Sequence, residues 1–404
     1  MVVPHPQLEQ PFIPTPTRSF AHEQLNRLIE SADSFSSGTL PESRIGAALR
    51  YRLLGEWEVW QAINTLPIGG LREQLTECLA KRAYFRGWLA LHPSFWTYYQ
   101  ETFAFALNCL GSDQEDLYES ALDADTGDFE FDSWTQDLKD TGWLSHEIRL
   151  RYRDYWIHKL ELPWVLGAGF FMTHLLDGDS AVNTLNWYET SGDPFCQKFK
   201  PQQLNALYRN SDARLPCLSL SPSGLLVTPD DLTPEVGQLS DAAFSTIAVF
   251  SAEDVTQHLG LSRNVRDFCR KAVVDCGQRA CLNWRACLME ISDRVPFEGK
   301  ACASPDHVSK ASQMRVYAGN VKHWTESVVR WALRENLRMV RLYEPVVGPY
   351  QSQVSHLRQE LRRFGVALSL YRRQWDAVHS PHCSGSYEQS SHGFTERANE
   401  SIKS

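Results

Sequence analysis

The chain has 404 residues and carries 40 Lys and Arg against 49 Asp and Glu, a formal net charge of −9. That length accommodates two or three domains of ~150 residues, and 43% hydrophobic and 22% charged residues with 13 Trp exclude a disordered or fibrous chain. The acidic balance argues against strong non-specific nucleic-acid binding, which needs clustered Lys and Arg, and ten cysteines are too sparse for a disulfide scaffold.

The first residues, with Pro4, Pro6 and Pro11, read as an extended lead-in. They lack the basic start and apolar block of a signal peptide, so the expectation is a soluble, cytoplasmic protein. Residues 20–210 read as a helical domain, with apolar side chains recurring at three and four in Leu49, Leu53, Leu54, Trp57 and Trp60. The longest apolar run, Leu160 to Leu176, is interrupted by Glu161, Pro163, Gly167 and Gly169 and falls short of the ~18 residues of a membrane helix.

Residues 211–240 are rich in Ser, Pro, Gly and Asp (Ser221, Pro222, Gly224, Pro229, Asp230) and read as a linker. In 241–378, short apolar runs alternate with amphipathic segments. Thr246–Phe250 reads as a strand, Ser262–Cys287 and His323–Glu335 as helices, and Met339–Tyr343 as a strand. Gln351–Arg363 then reads as a helix closed by Gly365, before a strand at Val366–Tyr371. Strand, helix and strand with a glycine past the helix end predict a parallel βαβ unit. Residues 379–404 show no periodicity and read as a mobile tail. Cys269, Cys276, Cys281 and Cys287 contain no C-x-x-C pair, so they read as reduced thiols and no metal site is expected.

The chemistry concentrates between Asp123 and Trp187. In Asp177-Gly178-Asp179 the glycine permits a tight turn that can aim both carboxylates inward near a helix end. Arg149, on the preceding helix, can pair with one of them. Asn183 and Trp187, four apart, share a helical face. Taken singly, Trp187 and Trp164 read as core aromatics, His146 as a core histidine, and Arg50, Arg52, Arg82 and Arg86 as a solvated helix face rather than a DNA groove, given the acidic total.

Taken in order, Thr126-Gly-Asp128, Phe131 to Trp134, Thr141-Gly-Trp-Leu144, Arg149, Leu162-Pro-Trp164 and Asp177-Gly-Asp-Ser-Ala-Val-Asn183 resemble the FAD-binding domain of the photolyase/cryptochrome superfamily. The resemblance implies an all-helical photolyase-like domain followed by a small Rossmann-like α/β domain, the reverse of the usual order. It further implies FAD as cofactor, with Asp177 paired to Arg149 and Asp179 facing the flavin and ribityl side. Asn183 would lie near flavin N5, with His146 as a proton donor at the site and Ser43 in a phosphate-binding stretch. Trp187 and Trp164 would be the first two members of an electron-transfer chain, with Trp134, Trp143 and Trp156 as candidates for the third. The activity implied is blue-light-driven electron transfer, with DNA photorepair (a carbon–carbon lyase reaction) as one outcome and damaged DNA or a signalling partner as binding partners.

Several positions depart from that pattern. The glutamate that contacts a flipped dimer falls on Cys78, the lesion-stacking aromatic on Lys81, and a family tryptophan on Glu189. Ser145-His146-Glu147 stands where His-Asn-Arg is usual, Gly46 replaces a phosphate-binding serine and Glu42 a threonine. These changes keep two alternatives open: a light or redox sensor, and a scaffold that has lost FAD or binds another ligand in the same cavity.

Overall fold

The computed structural model describes residues 17–31, 45–50, 53–191 and 351–403, with short stretches between 235 and 348. Among the described residues up to Ser191 the elements are helices: α1 (Arg18–Glu30), α2 (Ile45–Arg50), α3 (Glu56–Ile63), α4 (Leu71–Leu91), α5 (Ser94–Asn108), α6 (Ser112–Asp123), α7 (Phe129–Thr141), α8 (His146–Asp154), α9 (Trp164–His174) and α10 (Ser180–Ser191).

Local chemistry fixes where these helices begin and end. Asp128 caps α7 by accepting from the Glu130 and Phe131 N–H groups, and Gly142, at φ 69°, closes the helix with its N–H on Leu138 O. Ser145 caps α8 by accepting from Ile148 N. α8 then loosens into a π-turn at Tyr155–Lys159, which carries Trp156. Every residue of α9 from Trp164 to Thr173 is buried. A helix apolar on all sides belongs at the centre of a protein, so the interrupted apolar run becomes the core helix. Its two glycines allow close approach. A Cβ on Gly167 would lie 2.3 Å from the Trp187 ring, and one on Gly169 2.4 Å from Phe103. Around α9 the core gathers Phe85, Trp88, Phe95, Phe131, Tyr152, Trp156, Phe171 and Trp187.

Later in the chain, β4 (Met339–Tyr343), α11 (Gln351–Arg363) and β5 (Ala367–Arg372) form the parallel βαβ unit. β4 and β5 run in register from Met339–Ala367 to Tyr343–Tyr371, and Gly365 takes φ 73° just past the helix. β1 (Glu235–Val236) adds in parallel to the far side of β5, while β2 (Phe250–Ser251) and β3 (Glu290–Ile291) form a separate parallel pair. The rest of the expected strand 246–250, most of the expected helix 262–287 and all four clustered cysteines lie outside the described residues. Among the described residues, no helix is long and apolar enough to cross a membrane.

The tail differs from its expectation. Residues 374–403 form α12 (Gln374–His379), a 3-10 turn (Ser380–His382), α13 (Tyr387–Ser391) and α14 (Phe394–Lys403). Trp375, His379, Cys383, Phe394 and Ala398 are buried. Phe394 packs edge-on to Trp60 at 5.7 Å, and the Trp60 indole N–H donates to Asn399 Oδ1 at 3.0 Å. Tyr84 donates to Gly385 O at 3.0 Å, and Cys383 sits where a Cβ on Gly87 would meet its sulfur at 2.5 Å. A few apolar residues four apart suffice to dock short polar helices on α3 and α4.

Candidate functional site

α1 to α4 and α8 to α10 enclose a cavity of about 310 Å³, at the lower end of ligand-pocket volumes. Its wall includes Gly46, Cys78, Lys81, His146, Arg149, Arg153, Asp177 and Asn183. The turn between α9 and α10 is built as the Asp-Gly-Asp spacing suggests, with its two carboxylates doing different work. Asp177 accepts from Arg149 Nη1 at 2.9 Å, and Arg149 is held in turn by its Nε on Leu144 O at 2.8 Å. Asp177 Oδ1 is buried without a hydrogen-bond partner among the described residues. Gly46 makes room for this carboxylate: a Cβ there would stand 2.5 Å from Asp177 Oδ2.

Asp179 points elsewhere. Its Oδ1 caps α10 by accepting from Ala181 N at 3.0 Å and Val182 N at 3.2 Å, while Oδ2 meets Arg86 at 3.3 Å and Arg82 at 3.5 Å. Burial pushes this carboxyl up, but Arg86, Arg82 and the Val182 N–H outweigh it and hold it below the ordinary carboxylate range. Asp179 is absent from the cavity wall, so its geometry is that of a structural anchor rather than of a residue facing the flavin side. The reading of Arg82 and Arg86 as a solvated face is corrected by the same contacts. Both are 8% exposed and stand 3.6 Å from Glu56, itself 1% exposed. Arg373, just before α12, also binds Glu56 and reaches Asp376 at 2.7 Å. Partners 26 to 97 residues away in sequence turn those helix-face arginines inward.

Asn183 lines the cavity and donates from Nδ2 to Ala168 O at 2.9 Å, which leaves Oδ1 as the acceptor it offers. His146 stands at the first position of α8 on the wall; partial burial and then Arg153, Arg149 and Lys81 lower its pKa, favouring neutral imidazole. Ser43 and Glu42 lie outside the described residues. Lys81 and Glu189, two of the departures noted above, are bonded to each other at 2.9 Å across α4 and α10.

Trp187 is fully buried behind the wall, edge-on to the cavity-lining Phe171 at 5.0 Å. Among the described residues its other ring contact is Trp156, at 6.1 Å and near-perpendicular, rather than Trp164. Trp164 packs on Tyr99 at 6.0 Å and on Tyr188 at 5.7 Å. Trp156, one of three candidates for the third place, thus adjoins the first tryptophan. Trp143 lines the cavity, and Trp134 packs on the core from outside. Arg153, also on the wall, had no signal in the sequence beyond being one of several arginines on α8. Among the described residues, no three His, Cys, Asp or Glu side chains are grouped to hold a metal ion.

The family described as FAD binding domain of DNA photolyase matches residues 75–208, which run from within α4 through α10. The deoxyribodipyrimidine photo-lyase of Buchnera aphidicola is 32% identical over 75 residues, 17% of this chain and 16% of that protein. The Escherichia coli deoxyribodipyrimidine photo-lyase is 29% identical over 75 residues with the same coverage. Cryptochrome-1 of Arabidopsis thaliana is 34% identical over 61 residues, 15% of this chain and 9% of that one. The aligned stretches therefore span less than a fifth of these relatives' own length. No solved structure matches the chain.

Proposed function

Since residues 75–208 belong to the photolyase/cryptochrome superfamily through its FAD-binding domain, we propose that this chain holds FAD in the helical cavity and serves light-driven electron transfer. The observation that carries the reading is one wall: Gly46, His146, Arg149, Asp177 and Asn183 meet around a single hollow, with buried Trp187 one ring behind it. The residues fit the cofactor. Asp177 Oδ1 is an orphaned buried acceptor, and a flavin carries ring N–H and ribityl O–H donors. When bound, FAD supplies a chromophore whose excited state accepts an electron.

The chain's own residues would do the rest. Arg149 holds Asp177 in orientation through its hydrogen bond, and Ala168 O fixes the Asn183 amide so that Oδ1 is the acceptor it offers. Trp187 is the nearest buried electron donor behind Phe171. Its indole N–H has no hydrogen-bond acceptor among the described residues. Trp156, in ring contact, is the next donor. Photoreduction of the FAD-loaded protein under blue light tests this assignment. Trp187→Phe and Trp156→Phe should slow it strongly and Trp164→Phe little; unchanged rates in the first two would refute it.

A sensor of light or redox state is favoured over dimer repair by the Lys81–Glu189 ion pair. Where the resemblance calls for a lesion-stacking aromatic, ~1–3 kcal/mol per base, the chain places Lys81, bonded to Glu189. Its partner would then be a signalling protein rather than damaged DNA, and the βαβ unit a small nucleotide-fold domain of Rossmann type. Incubation with a dimer-containing oligonucleotide under blue light should leave the dimer intact; its photoreversal would restore the repair reading.

A further inference from the structure

Four cationic side chains line the cavity: Lys81, Arg82, Arg149 and Arg153. Three have a carboxylate partner. Lys81 has Glu189 at 2.9 Å, Arg82 has Asp179 at 3.5 Å and Glu56 at 3.6 Å, and Arg149 has Asp177 at 2.9 Å. Arg153 has none: it makes no hydrogen bond or ion pair with any described residue, and its Nε is buried without an acceptor. Only 6% of the residue is exposed. The charged or titratable groups that act on it are Arg149 one turn back, His146 on the wall, and Glu189, which Lys81 already holds. Burial and then Arg149 push its pKa down to about 10, with Glu189 compensating only in part. A buried guanidinium is tolerated when an anion neutralises it and strongly disfavoured otherwise.

We infer that Arg153 is the anion seat of this cavity, so that the ligand is held there by an oxyanionic group, phosphoryl or carboxylate, docked on the guanidinium with Arg149 and His146 alongside. A planar five-donor fork matches such a group better than a point charge would. The inference rests on the flavin reading for the identity of the cavity as a binding site, and extends it to the charge of what binds. The oxyanion has two sources open to it: the diphosphate of FAD, or a separate anion bound beside the flavin.

Thermal unfolding in phosphate-free buffer, with inorganic pyrophosphate as probe, tests the seat directly on the full chain. Wild type should gain several degrees in Tm at saturating pyrophosphate. Arg153→Gln should start at or above the wild-type Tm, since it removes an uncompensated charge, and gain nothing. Arg153→Lys should keep part of the gain, showing that charge and not shape is lost. Titration with FAD and with riboflavin then separates the sources. A loss of about tenfold or more in FAD affinity in Arg153→Gln, with riboflavin unaffected, assigns the oxyanion to the FAD diphosphate. Unchanged FAD affinity with a lost pyrophosphate response assigns it to a separate anion. If neither protein binds FAD but wild type alone responds to pyrophosphate, the flavin reading fails and the anion seat stands. Equal pyrophosphate shifts in wild type and Arg153→Gln, or no shift in either, would overturn the inference.

Discussion

At Asp177 one carboxylate oxygen is satisfied by Arg149 and the other is kept for the cavity, and Gly46 is the residue that lets this happen. The serine-to-glycine change at position 46 looks like a lost phosphate contact in the sequence, yet the space it frees is taken by Asp177 Oδ2. Gly46→Ala should push that carboxylate off Arg149 and cost about 1–3 kcal/mol, with weaker FAD binding; urea denaturation and a flavin titration read both. Arg149→Gln leaves the Asp177 charge unpaired and should likewise lower stability by about 1–3 kcal/mol, while Arg149→Lys recovers part of the stability and little of the binding. The Arg149–Asp177 pair was legible through the family resemblance, which assigns Arg149 to Asp177; the residues alone left either carboxylate of Asp177-Gly178-Asp179 as its partner. The role of Asp179 was not, since its arginine partners come from α4, 93 and 97 residues away.

Among the elements, α9 and the C-terminal helices show what periodicity reveals and what it hides. The apolar run that is too interrupted for a membrane helix forms the buried α9, and its two glycines mark where Trp187 and Phe103 press against it. Residues 379–404 were read as a tail because no helical periodicity stands out in that polar stretch, yet they hold two helices and a 3-10 turn. The available signal was the spacing of Trp375 and His379, and of Phe394 and Ala398, each pair four apart. His379 stacks on Phe394 and lies against Trp375, and burial lowers its pKa to about 4, as it does for His174 at the end of α9. Both histidines therefore fold neutral. The unfolded chain takes up protons from pH 6.5 downward while the folded one does not until near pH 4. Stability is thus full above pH 6.5 and falls across that window, on the order of 3 kcal/mol per histidine. Urea midpoints at pH 7, 5.5 and 4.5 should show the fall, and His379→Phe, which keeps the aromatic stack, should remove roughly half of it.

Across the molecule, the ion cluster of Glu56, Arg82, Arg86, Asp179, Arg373 and Asp376 ties the segment after the sheet to the turn that carries the site. Arg373 is the cross-link. Burial opposes its charge, but Asp376 and Glu56 outweigh that and push its pKa up. Arg373→Met should destabilise the whole by about 3 kcal/mol, with tryptophan fluorescence and circular dichroism reporting one shared transition. An early transition confined to the C-terminal helices would show that they are not coupled to the rest. The flavin reading depends on the hollow between α4, α8 and α10 being a cofactor site. Its most direct test is to incubate the purified full chain with excess FAD, remove free FAD by gel filtration and record the visible spectrum. The account predicts that oxidised-flavin absorbance elutes with the folded wild type and is strongly reduced in Arg149→Gln; a folded wild type that elutes colourless would contradict it.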